Sequence, residues 1–153
     1  MNKNNNVQDA TLAQLVIKAN QWVNQSLINI LEIDEYTNLN NSHLLLLAQL
    51  NGAETYSSEL AKRVGVSRQA VYRTLRELRS MGIVELHDVP GKGKRKLINL
   101  TPQGRKLIKK AVDALHQIEN HLGEQIGEDA VAQLRKVLDR QWGDAFRPRL
   151  NVQ

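Results

Sequence analysis

The stretch that leaves this chain least freedom is "SSELAKRVGVSRQAVYRTLRELRSMG", residues 57–82. Two segments with helical periodicity meet at one glycine, Gly65, and another, Gly82, ends the second. Ser57 is placed to cap the first helix, with Glu59 near its positive end. Gly65 permits the left-handed backbone that stops it, and Val66 can plug the corner. Ser67 can cap the second helix, which should run to about Met81. Two helices joined by a tight turn containing glycine form a helix-turn-helix.

The second helix has two distinct faces. At 100° per residue from Arg68, Val71, Leu75 and Leu78 cluster near about 280° to 340°, whereas Gln69, Arg73 and Arg76 lie near about 80° to 140°. Tyr72 lies beside the polar group, Arg68 and Arg79 border the apolar stripe, and Glu77 is the one acid of the helix. An amphipathic helix with solvated arginines would show the same pattern. The residue types say more: glutamine and arginine can bond adenine and guanine edges bidentately, and arginine also forks onto phosphate. A basic hairpin follows. "IVELH" and "RKLINL" read as its strands, and "VPGKGK" as its tip. Lys92, Lys94 and Arg95 would carry that tip along a backbone or into a minor groove, Arg95 being the best placed to enter. The tip lacks the Lys-Ser/Thr of a nucleotide-binding loop.

Flanking segments complete the reading. Leu12, Leu15, Val16, Ala19, Trp22, Val23, Leu27 and Leu31 recur at steps of three and four, which predicts one helix from about Ala10 to Leu31. Asn41 or Ser42 can cap a further helix through Leu50. After the hairpin, Thr101 as cap and Pro102 at the first helical position open a long helix, which Gly123 to Gly127 should interrupt. Glu128 and Asp129 then open a last helix carrying Val131, Leu134, Leu138 and Trp142. Charge divides along the same lines. Residues 57–110 hold 14 Lys and Arg against 4 Asp and Glu, and the rest of the chain 7 against 12. A basic middle between acidic ends suggests one segment that meets a polyanion and flanks with another task.

Several classes are disfavoured. The 153 residues contain no cysteine, so there is no disulfide framework and no thiolate metal site. No run approaches a membrane span, and "MNKNNN" lacks the apolar stretch of a signal peptide; a cytoplasmic protein without membrane contact is the simplest expectation. There is no cysteine nucleophile, Gly-x-Ser-x-Gly, nucleotide loop or catalytic carboxylate pair, so no catalytic residue and no cofactor is expected. Of the four histidines, His116 and His121 are about 140° apart on one helix, and His43 and His87 lie elsewhere. Metal is not expected, and solvent-facing or capping roles are. Trp22, Trp142 and Phe146 could line a ligand pocket or pack a seam between subunits, and packing is the commoner use of aromatics at such spacing.

With those residues in place, "SSELAKRVGVSRQAVYRTLRELRSMGIVEL", followed by the basic hairpin and "LTPQGRKL", resembles the MarR family of bacterial winged-helix transcription regulators. The resemblance implies a mainly α fold and one domain over residues 1–153. Residues 41–100 would form the winged helix-turn-helix, and residues 10–40 and 101–146 the dimerisation helices. It further implies a homodimer on a pseudo-palindromic duplex, often with release by a small-molecule effector, and a repressor is the simplest expectation. Carried across by position, Ser67, Arg68, Gln69, Tyr72 and Arg73 match the groove-facing start of the recognition helix. Ser57 and Arg76 are added as DNA contacts, and Leu12, Leu15, Val16, Ala19, Trp22, Val23, Leu134, Leu138 and Trp142 as the dimer seam. The chain departs from the family at the tip, where Asp88 has no second acid after it and both Lys94 and Arg95 align with the family's arginine. The competing class is a winged helix that docks an acidic protein partner without reading DNA.

Overall fold

The computed structural model describes residues 10–33, 36, 38–50, 55–91 and 96–145. Its elements in chain order are helices α1 (Leu12–Ile33) and α2 (Asn41–Leu47), strand β1 (Thr55–Tyr56), helices α3 (Ser57–Val64) and α4 (Arg68–Ser80), strands β2 (Val84–Asp88) and β3 (Lys96–Leu100), and helices α5 (Pro102–Ile126) and α6 (Glu128–Leu138). The chain divides into two compact units, residues 1–118 and 119–153, and each is described by itself. Among the described residues no helix is long and apolar enough to cross a membrane.

In the first unit, local chemistry sets most helix ends. The Thr11 and Gln14 side chains each accept the other's backbone N–H, a capping box that starts α1. Asn40, not Asn41 or Ser42, caps α2, because its side chain accepts the His43 N–H. Ser67 caps α4 by accepting the Ala70 N–H at 3.1 Å, and Gly65 closes α3 at φ +72°, as the sequence requires. Two further local expectations fail. Tyr56 occupies the cap of α3, with Ser57 the first residue inside that helix. Val66 does not plug the turn but stays exposed.

The three strands form an antiparallel sheet in the order β1-β3-β2, with Thr55 opposite Ile98 and Val84 opposite Leu100. The hairpin follows the sequence pattern, whereas β1 is two residues long and too short to show alternation. Behind α4, the expected stripe of Val71, Leu75 and Leu78 is completely buried, together with Leu31 of α1 and Leu60 of α3. Burying a leucine of this kind contributes about 1.5–3 kcal/mol. At the start of α5 the backbones approach closely: Thr101 N–H donates to the Ile83 carbonyl at 3.1 Å. A Cβ on Gly104 would run into that same carbonyl. The N-terminal half of α1 has no such shelter; Leu12 is 70% exposed, and Leu15, Val16, Ile17 and Trp22 are exposed with it.

The second unit holds the end of α5 and all of α6. Helix α5 runs through Gly123 to Ile126, so only Gly127, at φ +90°, interrupts the path. One glycine inside a helix costs only about 1 kcal/mol relative to alanine, so Gly123 does not end α5. Arg135 on α6 bonds Glu119 at 2.7 Å. No residue of α6 is buried; Leu134, Val137 and Leu138 are exposed. Trp142 lies beyond the end of α6 rather than on it, 65% exposed, with its indole N–H near the Val137 carbonyl at 3.4 Å. Phe146 lies outside the described residues.

Candidate nucleic-acid interface

The interface is built on α4, and the same periodicity that buries one face exposes the other. Arg68, Gln69, Arg73, Arg76 and Arg79 are all exposed. None of the four arginines holds an ion pair or a side-chain hydrogen bond among the described residues. Ser67, Gln69, Tyr72, Arg73 and Arg76 line a concavity along this outer face. Four guanidinium groups on one helix, each with five donors and no acceptor, make a surface that an array of carbonyls and phosphate oxygens can satisfy and an apolar surface cannot.

Tyr72 and Ser57 occupy different places from those the sequence suggests. Tyr72 is half-buried, and its phenolic oxygen accepts from the Ser57 hydroxyl at 3.3 Å. Ser57 is only 3% exposed and also accepts the Lys96 N–H at 3.3 Å. It therefore neither caps α3 nor presents a hydroxyl outward: the residue joins α3, α4 and β3 from inside. The correction has a simple cause. Tyr56 remains extended because β1 pairs with β3, which moves Ser57 one position into the helix and under the sheet edge.

The tip residues Lys92, Lys94 and Arg95 lie outside the described residues. The strands that would carry them are in register to the last pair, Asp88 opposite Lys96. The side chains of that pair are joined by an ion pair, so the acid nearest the tip is already matched. Farther along β2, His87 and Glu85 lie 3.3 Å apart and exposed. No group of three or more His, Asp or Glu that could hold a metal is present among the described residues.

Sequence reasoning missed one element of the site. His43 is neither solvent-facing nor simply a cap: at 2% exposed, its Nδ1 accepts the Asn40 N–H at 3.2 Å, and its Nε2 lies 2.9 Å from the Glu77 carboxylate. Since Nδ1 is an acceptor, the hydrogen on the ring belongs to Nε2, which donates to Glu77. A signal was present in the sequence. Asn at a cap followed by a hydrogen-bonding side chain three residues later is a capping box, with histidine in the place usually taken by Glu or Gln.

Comparison with known proteins agrees with this geometry. A helix-turn-helix (HTH) domain model matches residues 42–95. The HTH-type transcriptional regulator YdgJ of Bacillus subtilis (strain 168) is 31% identical over 104 residues, which is 67% of this chain and 62% of the relative. The chain thus spans somewhat less than two thirds of that relative. The apo form of MarR from E. coli is 25% identical, covers 84% of this chain and 95% of its own, and superposes with a TM-score of 0.68. The Mycobacterium tuberculosis MarR family protein Rv2887, solved in complex with salicylic acid, is 22% identical with a TM-score of 0.63, and the match covers 86% of this chain and 96% of that one. The winged arrangement, the order of flanking helices and these likenesses coincide: the chain has the winged helix-turn-helix fold of the MarR regulators and is similar in sequence to an HTH-type transcriptional regulator.

Proposed function

We propose that this protein is a cytoplasmic, homodimeric repressor that recognises a specific duplex DNA site. The observation that carries the reading is the outer face of α4: exposed arginines and a glutamine on a capped, fully core-anchored helix, without partners of their own among the described residues. A rigid helix places side chains in a major groove more reproducibly than a loop does. In this reading Arg73 and Gln69 reach base edges, Arg68, Arg76 and Ser67 hold phosphate, and Lys92, Lys94 and Arg95 follow the adjacent minor groove. Tyr72 contributes its ring rather than its hydroxyl.

The dimer rests on a different observation. Leu12, Leu15, Val16, Ala19 and Trp22 on α1 are exposed, and so are Leu134, Leu138 and Trp142 near the other end. Val23 is half-buried. Apolar side chains exposed in such number are a cost that a second copy removes. Two recognition helices would then enter successive major grooves about 10 bp apart on a pseudo-palindrome. A small carboxylic acid is the effector class to try first, because a relative of this fold was solved with salicylic acid.

Selection of duplexes from a random library by the purified protein tests the reading. Enrichment of an inverted repeat with half-sites about one helical turn apart is expected. Recovery of unrelated sequences would overturn it and leave an acidic protein as the partner to seek.

A further inference from the structure

Glu77 is the only acid on the recognition helix, and it stands four residues after Arg73. Residues four apart on a helix are neighbours, so a free Glu77 carboxylate has the Arg73 guanidinium as its natural partner. The structure shows a different pairing. Glu77, 45% exposed at the margin of the arginine face, accepts from the buried His43 ring at 2.9 Å, and Arg73 holds no ion pair among the described residues. His43 is itself fixed by the Asn40 N–H on its other nitrogen, so the ring cannot turn without opening the cap of α2.

We propose that His43 is a positioning residue for DNA recognition: it holds the Glu77 carboxylate against α2 and so keeps Arg73 free to enter the groove. The inference rests on the DNA-binding reading above. It assigns a function to a buried side chain that touches no nucleic acid. Without the imidazole, Glu77 turns to Arg73, and that pair must be broken each time a duplex is bound. An exposed pair at this spacing is weak, so its rupture should lower affinity about two-fold per recognition helix, and about four-fold for a dimer engaging both half-sites.

A double-mutant cycle on the full chain separates this role from a purely structural one. Dissociation constants for the selected duplex are measured by competition anisotropy for the unaltered protein, His43→Ala, Glu77→Ala and the double variant. The expected result is a loss of about four-fold on His43→Ala in the native background and no further loss when Glu77 is already alanine. An equal loss in both backgrounds would mean that His43 only packs α2, and would overturn the proposal. So would no loss in either. If His43→Ala does not fold, His43→Leu fills the buried site without offering Glu77 a donor, and the same cycle is read on it. Failure of the unaltered protein to bind the duplex would instead refute the DNA reading itself.

Discussion

The winged segment and the helical ends solve opposite problems. In the winged segment the apolar side chains of α4 face inward, onto a core shared with α1 and α3, and the charges face outward. At the ends the arrangement is reversed: the first half of α1 and α6 turn leucines, valines and Trp22 outward, whereas the polar groups bond one another, Gln25 to Asn29 and Arg135 to Glu119. A region that closes its own core needs a partner only for its charges. A region that leaves apolar residues exposed needs one for its stability. In the proposed function the winged segment meets a polyanion and the ends meet a second copy of the chain.

The largest effect should come from exchanging one truncation between the two regions. Leu75→Ala, at a completely buried position, is expected to lower unfolding free energy by about 2–5 kcal/mol, read as a shift in denaturant midpoint. The same change at Leu138 on α6 should leave the protomer fold almost unchanged and act on self-association. A comparable loss of protomer stability at Leu138 would erase the distinction between the regions. At the ends themselves, Leu15→Glu together with Leu134→Glu should convert a dimer to a monomer in sedimentation velocity, because each change would bury a charge in an apolar seam. A dimer that survives both changes would place the interface elsewhere. These substitutions are preferable to removing residues 1–31, since Leu27 and Leu31 belong to the winged core.

Smaller effects sharpen the account within the winged segment. Arg73→Ala should reduce discrimination between the best duplex and a single-site variant by about 1–3 kcal/mol if it reads a base; equal weakening on every duplex would make it a phosphate anchor. Ser67→Ala removes the side-chain bond to Ala70 and should cost about 1 kcal/mol of stability, visible as a lower thermal midpoint. The smallest change lies outside the winged segment, at Arg135→Ala on α6: its pair with Glu119 is exposed on both sides and should contribute no more than about 1 kcal/mol.

Where the sequence was legible, a periodic signal repeated over several turns. The stripe of Val71, Leu75 and Leu78 could be placed from spacing alone, as could the exposure of Arg73 and Arg76 opposite it. Signals carried by single residues were less secure. Ser57 has the chemistry of a cap, but pairing of β1 with β3 decided its place, and a two-residue strand leaves no pattern to read. Gly123 resembles a helix break, yet a lone glycine within a helix costs only about 1 kcal/mol relative to alanine and the helix continues through it. Trp142 fits the spacing of α6 after the helix itself has ended at Leu138. The bond between His43 and Glu77 was beyond periodicity altogether, because it joins residues 34 positions apart.

The central claim, that the α4 face reads duplex sequence, is tested most directly by fluorescence anisotropy of the unaltered protein across a salt series. The probes are the best duplex from the selection and a scrambled duplex of equal length. The account predicts affinity for both that falls steeply with salt, with a preference for the selected duplex that persists at every salt concentration and against competitor DNA. Equal affinity for the two duplexes, vanishing together as salt rises, would contradict it: the arginines would then be a basic surface and not a reading head.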